Sequence, residues 1–356
     1  MQGFIAYVLI LSFISPYICL TLEYVSENNT YNVMQYGAIG DGKSDDTQAF
    51  SSAWSSACNA EGMSTLVIPS KKSFLVTKVN FSGPCDAKIL FQFEGKIVAP
   101  GKEEWKAESH WITVGYLNGI TIDGNGLGEI DGNGSTWWDC SNCVRPVVFH
   151  FHSCNDLTVS NLMISNSPRA HVSVNQCNGA TFSNISIDSP ATSPNTDGFD
   201  ISSSTNISIQ DSNIKAGDDC IAINGGSFFV NVTRVTCGPG HGISVGSLGK
   251  FNSTERVSDI YVRNCTFMGS TNGARIKTIL EVSSVSVNSV TYRGFNGTFV
   301  GNVAINLNCS SSGCFNIQLD KNNIVAAKEG GNTFVFCRNA HGTVRDTIPN
   351  VYCLSE

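Results

Sequence analysis

Apolar and polar residues alternate along most of this chain, in short runs that glycine and asparagine interrupt. Neighbouring side chains of a β-strand point to opposite faces, so this alternation predicts strands with one buried face. The clearest early strands are predicted at 65–68, 74–76, 89–93, 112–114, 119–122 and 147–151.

The strand segments recur along the chain. The segment Asn155-Asp-Leu-Thr-Val-Ser-Asn-Leu is echoed by Asn178-Gly-Ala-Thr-Phe-Ser-Asn-Ile, 23 residues later, and shorter echoes begin at Thr205, Ser258 and Phe315. A step of this length is typical of solenoids, whose repeats span roughly 20 to 50 residues. We therefore predict an all-β, single-domain parallel β-helix with asparagines at its corners. A β-sandwich, the competing architecture, would not keep this step.

One segment departs from the strand pattern. Its apolar residues are spaced as on one face of a helix, and they follow Asp45 and Asp46, either of which can cap the first turn. We predict an amphipathic helix that covers the open end of the solenoid, as terminal repeats generally must. The predicted buried face comprises Ala49, Phe50, Ala53, Trp54 and Ala57.

The overall composition excludes some functions. The chain has 356 residues, 34 of them glycine, with 41% hydrophobic residues, 14% charged residues and a net charge of −7. These proportions agree with a turn-rich β protein that has a substantial core. The negative net charge argues against nucleic acid as a partner. An anionic ligand would have to be held by local cations.

The N-terminus carries a single apolar run, residues 3–20, followed by polar residues. Such a run in this place is typical of a cleaved signal peptide, and no other stretch reaches the length of a membrane span. We expect residues 1–20 to be the signal peptide and residues 21–356 to form the β-helix domain. The mature protein is expected to be secreted, monomeric and without a membrane partner, and sequons such as Asn184-Ile-Ser then become candidate glycosylation sites.

Secretion favours disulfides over metal sites among the 14 cysteines. Removal of Cys19 with the signal peptide leaves an odd number. Cys154, Cys177 and Cys265 each follow a polar residue at the start of a coil, and we expect them to be buried thiols in the coil interior. The pairs suggested for the other cysteines are Cys58–Cys85, Cys140–Cys143, Cys220–Cys237, Cys309–Cys314 and Cys337–Cys353.

Four short polar islands interrupt the repeats in the second half of the chain. The steps of 21 residues from Asp197 to Asp218 and 22 from Asp219 to His241 each match one coil. Residues one coil apart lie on adjacent parallel strands, about 4.8 Å apart, so the islands should meet on one face. They are Asn195-Thr196-Asp197, Gly217-Asp218-Asp219, Gly240-His241-Gly242 and Arg275-Ile276-Lys277.

Each island also has a plain structural explanation. Aspartates are common in turns, a lone histidine is usually structural, and Arg275 with Lys277 could protect an exposed strand edge. The shared register favours an acid–base site instead. Crowded carboxylates cannot all ionise independently, so the pKa of at least one should rise. A protonated acid beside ionised carboxylates suits glycoside hydrolysis, and a carboxylated sugar requires cations.

The four islands, together with Cys-Gly-Pro-Gly-His-Gly-Ile-Ser-Val-Gly-Ser-Leu-Gly at 237–249, resemble plant-type polygalacturonases. The resemblance extends from Tyr31 to Cys353. It implies a right-handed parallel β-helix that hydrolyses α-1,4-linked galacturonan of pectin with inversion, without a metal or other cofactor. Inversion agrees with a site in which a water fits between acid and base, whose carboxyl groups are then ~6.5–9.5 Å apart.

The resemblance also implies a role for each residue. Asp218 would be the general acid, and His241 would support it. Asp197 and Asp219 would position and deprotonate the attacking water.

The same resemblance places Arg275 and Lys277 on the carboxylate of the substrate, and Asn195 is also expected to bind substrate. The chain departs from the family pattern after Thr278, where something like one to two coils and a cleft-lining tyrosine are absent. We expect residues 282–290 to stack directly on the strand that carries Arg275 and Lys277, with a bulge at Ser283-Ser284.

Two other functions remain open at this stage. A pectate lyase shares the β-helix but would use calcium and an arginine base. A non-catalytic pectin-binding protein is compatible with the absent coils. Endo and exo action are not distinguished by the sequence.

Overall fold

The computed structural model describes residues 29–106, 108–140, 142–249, 254–278, 285–331 and 333–354. Over this part of the chain the strands pair in parallel, coil upon coil, and the predicted parallel β-helix is confirmed. The expected signal peptide, residues 1–20, lies outside the described residues. No helix among the residues described is long and apolar enough to cross a membrane.

The largest described sheet has 16 strands, numbered here in chain order with those of the other sheets. Its main path is β1 (Asn29–Asn32), β3 (Met63–Ile68), β6 (Lys88–Phe93), β9 (Thr121–Asp131), β11 (Asn155–Ser165), β13 (Asn178–Ser183), β16 (Thr205–Gln210), β19 (Phe228–Thr233) and β22 (Ser258–Arg263). Its shorter strands are β2 (Asp41–Asp45), β4 (Ser73–Leu75), β7 (Lys96–Val98), β14 (Ser186–Asp188), β17 (Asn213–Lys215), β20 (Thr236–Cys237) and β23 (Thr266–Phe267).

A second sheet of eight strands carries the polar islands, and we call it the site sheet. Its strands are β5 (Val79–Ser82), β8 (His110–Gly115), β10 (Val147–His152), β12 (Val172–Asn175), β15 (Phe199–Ser202), β18 (Ile221–Ile223), β21 (Ile243–Leu248) and β24 (Ala274–Thr278).

Inward-facing side chains of successive coils form one apolar core. The rings of Phe151 and Phe182 lie 5.5 Å apart, and Phe199 follows at 5.2 Å from Phe182, all with edge-to-face geometry. Such aromatic pairs contribute about 0.5–1.5 kcal/mol each beyond the burial of their area. The predicted alternation is confirmed by β3, in which every second residue is buried.

Asparagines mark the corners of the coils, as the sequence predicted. Asn161 and Asn184 have φ values of 58° and 53°, a left-handed conformation that asparagine tolerates better than most residues. Their side chains form a ladder, since Asn184 Nδ2 donates to Asn161 Oδ1 at 2.7 Å and Asn161 Nδ2 donates to Asp123 Oδ1 at 2.7 Å. The ladder keeps adjacent coils in register.

The predicted capping helix, α1, spans Thr47–Cys58, and its five predicted apolar residues are all buried against the first coils. The backbone N–H of Thr47 donates to Asp45 Oδ1 at 3.0 Å. Asp46 instead accepts the N–H groups of Ile39 at 2.6 Å and Gly40 at 3.1 Å. Asp46 therefore occupies the N-cap position but uses its side chain to fix the preceding turn, while the side chain of Asp45 binds the first N–H of the helix. Three short 3₁₀ helices complete the helical elements described, at Val33–Tyr36, Lys102–Glu104 and Gly134–Thr136.

The cysteines follow the predicted pairing. Cys154 and Cys177 are buried thiols and Cys265 is a half-buried one. The five disulfides are Cys58–Cys85, Cys140–Cys143, Cys220–Cys237, Cys309–Cys314 and Cys337–Cys353.

Beyond Thr278 the described strands form three small sheets of their own. These are β25 (Val287–Arg293), β28 (Cys314–Asp320) and β31 (Ala340–Arg345), then β26 (Asn296–Phe299) with β29 (Asn323–Ala326), and β27 (Val303–Asn308) with β30 (Phe334–Arg338).

The expectation that residues 282–290 stack on the strand carrying Arg275 and Lys277 is wrong for the described strand residues of this range, 287–290. Among the described strands, none from β25 onward pairs with β22 or β24. The physical reason is that the apolar side chains of β25 pack into a second, separate core around Cys309 and Leu319. The bulge expected at Ser283-Ser284 lies outside the described residues.

Candidate active site

Consecutive coils bring the four polar islands together at one end of the strands of the site sheet. Asp197 lies just before β15, Asp218 and Asp219 before β18, and His241 before β21. These strands are neighbours, and β24, with Arg275 and Lys277, pairs with β21. The structure therefore places all seven predicted site residues, Asn195 included, on adjacent coils.

Hydrogen bonds between the loops hold the islands in register. Thr196 is buried, and its Oγ1 accepts the backbone N–H of Gly217 at 2.9 Å. The backbone N–H of His241 donates to the carbonyl oxygen of Asp218 at 2.8 Å. Gly240 makes this approach possible, because its φ is +125° and a Cβ there would lie 2.4 Å from that same carbonyl oxygen.

Asp218 contacts the histidine and the asparagine. Its Oδ1 lies 2.8 Å from Nδ1 of His241, and its Oδ2 accepts a longer hydrogen bond of 3.4 Å from Nδ2 of Asn195. Arg145 orients Asn195 from the other side, since its guanidinium donates to Asn195 Oδ1 at 2.6 Å. The side chain of Asp218 is 23% exposed, so its carboxyl remains open to a ligand.

Asp219 is buried, and cations surround its carboxylate. Oδ1 accepts from Arg275 at 2.7 Å and from Ser244 Oγ at 2.7 Å, and Oδ2 accepts from Lys277 at 2.5 Å. Burial alone would raise the pKa of Asp219, but the hydrogen bonds of Lys277, Ser244 and Arg275 outweigh it and leave the pKa below its ordinary value. Asp219 is therefore ionised.

The pKa of Asp197 is shifted in the opposite direction, upwards. Burial, followed by the charges of Asp200, Asp218 and Asp219, raises the pKa of Asp197 to about 8. Burial also raises the pKa of Asp200 to about 6, although Arg169 works against this rise. At least one proton is consequently held among these carboxyls near neutral pH, as the crowding predicted.

Arg275 and Lys277 were expected on the carboxylate of the substrate. In this structure both are bound to Asp219, and Arg275 Nε also donates to Ser244 Oγ at 2.8 Å. Their side chains are still 28% and 27% exposed, so each keeps surface that a ligand can reach.

Sequence reasoning missed several members of the site. Asp200 points outward from β15 three residues after Asp197, and the alternation Asp-Gly-Phe-Asp could have revealed it. Ser244 shares the outward face of β21 with no distinctive sequence signal. Arg145 and Arg169 reach the site from loops in earlier coils, which spacing does not indicate.

One group of three metal-ligating residues occurs in the described part of the chain. Donor atoms of Asp218, Asp219 and His241 lie within 4.8 Å of one another. Both carboxylate oxygens of Asp219 already accept hydrogen bonds from cationic side chains. A metal ion would have to displace these cations, so the donor set fits an acid–base site better than a metal site.

Comparisons with known sequences agree with this geometry. The profile of glycosyl hydrolases family 28 matches residues 58–294. A probable polygalacturonase of Arabidopsis thaliana is 36% identical, over 94% of this chain and 82% of its own length. Polygalacturonase-2 of Solanum lycopersicum is 34% identical, over 87% of this chain and 78% of its own length.

Solved structures confirm the right-handed parallel β-helix. An endo-xylogalacturonan hydrolase from Aspergillus tubingensis superposes with a TM-score of 0.78 at 26% identity, covering 89% of this chain and 99% of that one. A polygalacturonase from Erwinia carotovora superposes with a TM-score of 0.64 at 20% identity, covering 89% of this chain and 96% of that one, and shows the shared fold.

Proposed function

Because the chain belongs to glycosyl hydrolase family 28, we propose that it cleaves the α-1,4-galacturonosidic bonds of polygalacturonate in pectin by inverting acid–base hydrolysis. The observation that carries this proposal is that the carboxyl groups of the cluster differ in protonation. Asp219 is ionised between two cations, while burial and crowding keep a proton in its neighbourhood. Glycoside hydrolysis requires this combination of an acid and an ionised carboxylate.

Asp218 serves as the general acid. Its carboxyl is exposed to the cleft and contacts His241. The crowded carboxyls titrate as a coupled group, so the proton that the free site holds at Asp197 is not confined to that residue. Asp218 delivers a proton to the glycosidic oxygen, the bond from that oxygen to the anomeric carbon breaks, and the shortened chain leaves with a free hydroxyl.

The new bond to the anomeric carbon is formed by a water molecule on the opposite face of the sugar. Its oxygen attacks the anomeric carbon, and its proton passes to the carboxylate pair of Asp197 and Asp219. Asp219, held by Arg275 and Lys277, supplies a fixed negative charge that orients the water. Single displacement by water inverts the configuration at the anomeric carbon.

The exposed surfaces of Arg275 and Lys277 bind the carboxylate of a galacturonate residue, and Asn195, held between Arg145 and Asp218, contacts the sugar beside the acid. A protein with a net charge of −7 needs such local cations for an anionic polymer. We further propose that the protein acts as a monomer in the cell wall after secretion. The apolar run at residues 3–20 and the five disulfides support secretion.

Release of reducing sugar from polygalacturonate by the purified protein tests the activity. We expect hydrolysis that a chelator does not abolish and products without the absorbance of unsaturated uronides. Proton NMR of the first products should show the β-anomer, as inversion requires. Calcium dependence with unsaturated products would identify a lyase, and binding without any cleavage would identify a pectin-binding protein.

A further inference from the structure

A row of four aromatic side chains lies on the outer face of the site sheet, on coils that precede the carboxylate cluster. The imidazoles of His110 and His150 are stacked with centroids 3.9 Å apart and planes at 21°. His152 continues the row at 5.8 Å from His150, also at 21°. Tyr116 ends the row, edge to face with His152 at 5.3 Å. Three of the six histidines of the chain lie in this row.

The row and the carboxylate cluster occupy the same face of the same sheet. Strand register pairs His150 with Ser173, and Ser173 with Asp200. Two strand spacings of about 4.8 Å separate His150 from Asp200, or roughly 10 Å. Because the row runs along the strand direction, a polysaccharide that follows the face from Asp200 towards β8 must pass over it.

The stacking decides which part of each ring a ligand meets. The ring of His150 is stacked between those of His110 and His152, so a ligand meets its edge rather than its faces. His110, His150 and His152 are each partly exposed, and Tyr116 is 59% exposed. A ligand therefore meets hydrogen-bonding groups rather than an apolar platform.

The tautomers of His152 and His150 follow from the hydrogen bonds that their Nδ1 atoms make or lack. Asn175 donates through Nδ2 to Ser202, so its Oδ1 accepts from Nδ1–H of His152 at 2.9 Å. In the tautomer that this contact selects, Nε2 of His152 carries no proton and is an acceptor. Nδ1 of His150 is buried without a hydrogen-bond partner. An unpaired buried acceptor costs less than an unpaired N–H, so the proton of His150 resides on Nε2, which is a donor.

Burial and nearby positive charge lower the pKa of two imidazoles of the row, His110 and His150. Burial lowers the pKa of His150 to about 4, and the nearby His110 and His152 lower it further. Burial, Arg169 and Lys78 also lower the pKa of His110. Glu108, the acidic group facing His110, is already paired with Lys78 at 2.8 Å. Two stacked imidazolium rings 3.9 Å apart would in addition repel each other.

We propose that the imidazole row is a sugar subsite that binds adjacent ring hydroxyls of the pectin chain through a donor on His150 and an acceptor on His152, irrespective of methyl esterification. This inference rests on the proposed function for the identity of the sugar. The cations at Arg275 and Lys277 select galacturonate near the bond that is cleaved, while the row accepts acidic and esterified residues alike.

The test measures binding in an Asp218→Asn background, so that no substrate is consumed. His150→Phe and His152→Phe keep a ring of similar shape and remove the nitrogens. We expect the double variant to bind polygalacturonate and its fully methyl-esterified form about tenfold more weakly, and monomeric galacturonate, which is too short to reach the row from the cluster, as before. His341→Phe is the matched control, because His341 is also stacked on an aromatic ring, Phe315, 5.0 Å away in the C-terminal sheets.

Unchanged binding by the double variant would show that the row only packs, and would overturn the proposal. A loss confined to polygalacturonate would also overturn it, because that pattern indicates recognition of carboxylates by imidazolium. Thermal unfolding is followed in parallel, and should the His150 variant not fold, His152→Phe alone gives the same comparison. Absence of hydrolysis by the wild-type protein would contradict the proposed function without affecting these binding measurements.

Discussion

Asp218 and Asp219 are adjacent in the chain but experience opposite surroundings. Asp219 is buried against Arg275, Lys277 and Ser244, and its pKa is lowered. Asp218 contacts a histidine and an asparagine and remains 23% exposed. Residue type alone does not separate the two carboxyls, so their chemical difference comes from their neighbours.

Asp218→Asn should abolish hydrolysis while leaving the fold and substrate binding intact. The amide has nearly the same shape but no acidic proton, and general acid catalysis contributes about 10²–10⁴-fold to a rate. The measurement is turnover on polygalacturonate, with thermal unfolding as the control for folding. Near wild-type turnover would show that another group donates the proton.

Lys277→Met should reduce turnover on polygalacturonate far more than on highly methyl-esterified pectin. The methionine keeps the length of the side chain and removes the charge that a substrate carboxylate would meet. Because Lys277 also binds Asp219, we expect some loss on both substrates. Equal losses on the two substrates would contradict a role in carboxylate recognition.

The raised pKa of Asp197 makes stability depend on pH. Its pKa is about 8 in the folded protein against an ordinary value of 3.8, so the folded state keeps a proton that the unfolded chain loses. The contribution of Asp197 to stability therefore falls as pH rises from about 4 to about 8. Asp197→Asn should gain stability relative to wild type over this range, seen as a growing difference between their unfolding temperatures. A difference that stays constant with pH would mean that Asp197 is ionised in the folded protein.

At the scale of elements, loops position the catalytic groups and the strands set their spacing. Each successive coil of the site sheet carries one polar island. The hydrogen bond from Gly217 N–H to Thr196 Oγ1 holds two of these islands together. Gly240 allows the histidine loop to lie directly against the Asp218 loop.

Gly240→Ala should displace the histidine loop and destabilise the protein by roughly 1–3 kcal/mol. The added Cβ would lie 2.4 Å from the carbonyl oxygen of Asp218, in addition to the strain at φ +125°. Gly62→Ala is the matched control, since Gly62 has φ +77° but no atom within 4 Å of a Cβ there. Activity and unfolding temperature should both fall more for the Gly240 variant, and similar effects of the two changes would show that the contact is unimportant.

At the scale of the whole molecule, the described strands fall into two stacks. The ladders that start at β1 and β5 end at β22 and β24, and β25 begins a separate set of sheets with its own small core. In a solenoid each coil is stabilised by its neighbours, so an interrupted ladder weakens cooperativity between the two parts.

We expect the C-terminal stack to unfold before the N-terminal one. All five tryptophans precede residue 140, so their fluorescence reports on the N-terminal stack, whereas far-UV circular dichroism reports on both. The dichroism transition should therefore begin at a lower denaturant concentration than the fluorescence transition. Insertion of the absent coils after Thr278 should bring the transitions together, and coincident transitions in the natural chain would show that the stacks are coupled.

The sequence by itself determined the coil architecture, the capping helix, the disulfide pairs and the place where the islands meet. These features depend on the alternation of apolar and polar residues and on the length of the repeat, and both can be read directly from the sequence. It did not identify Asp200, Arg145 or the imidazole row, because their partners lie one or more coils away and their loops differ in length.

Only the tertiary structure decided which carboxyl is ionised and where the stack is interrupted. The pKa values of Asp197 and Asp219 depend on burial and on cations contributed by other coils. The stacking of β25 on the strand that carries Arg275 and Lys277 was predicted wrongly, because alternation shows that β25 has an apolar face but not which core that face enters. The ionisation of the carboxyls and the pairing of β25 both depend on packing between segments that are distant in the sequence, and local sequence patterns do not specify that packing.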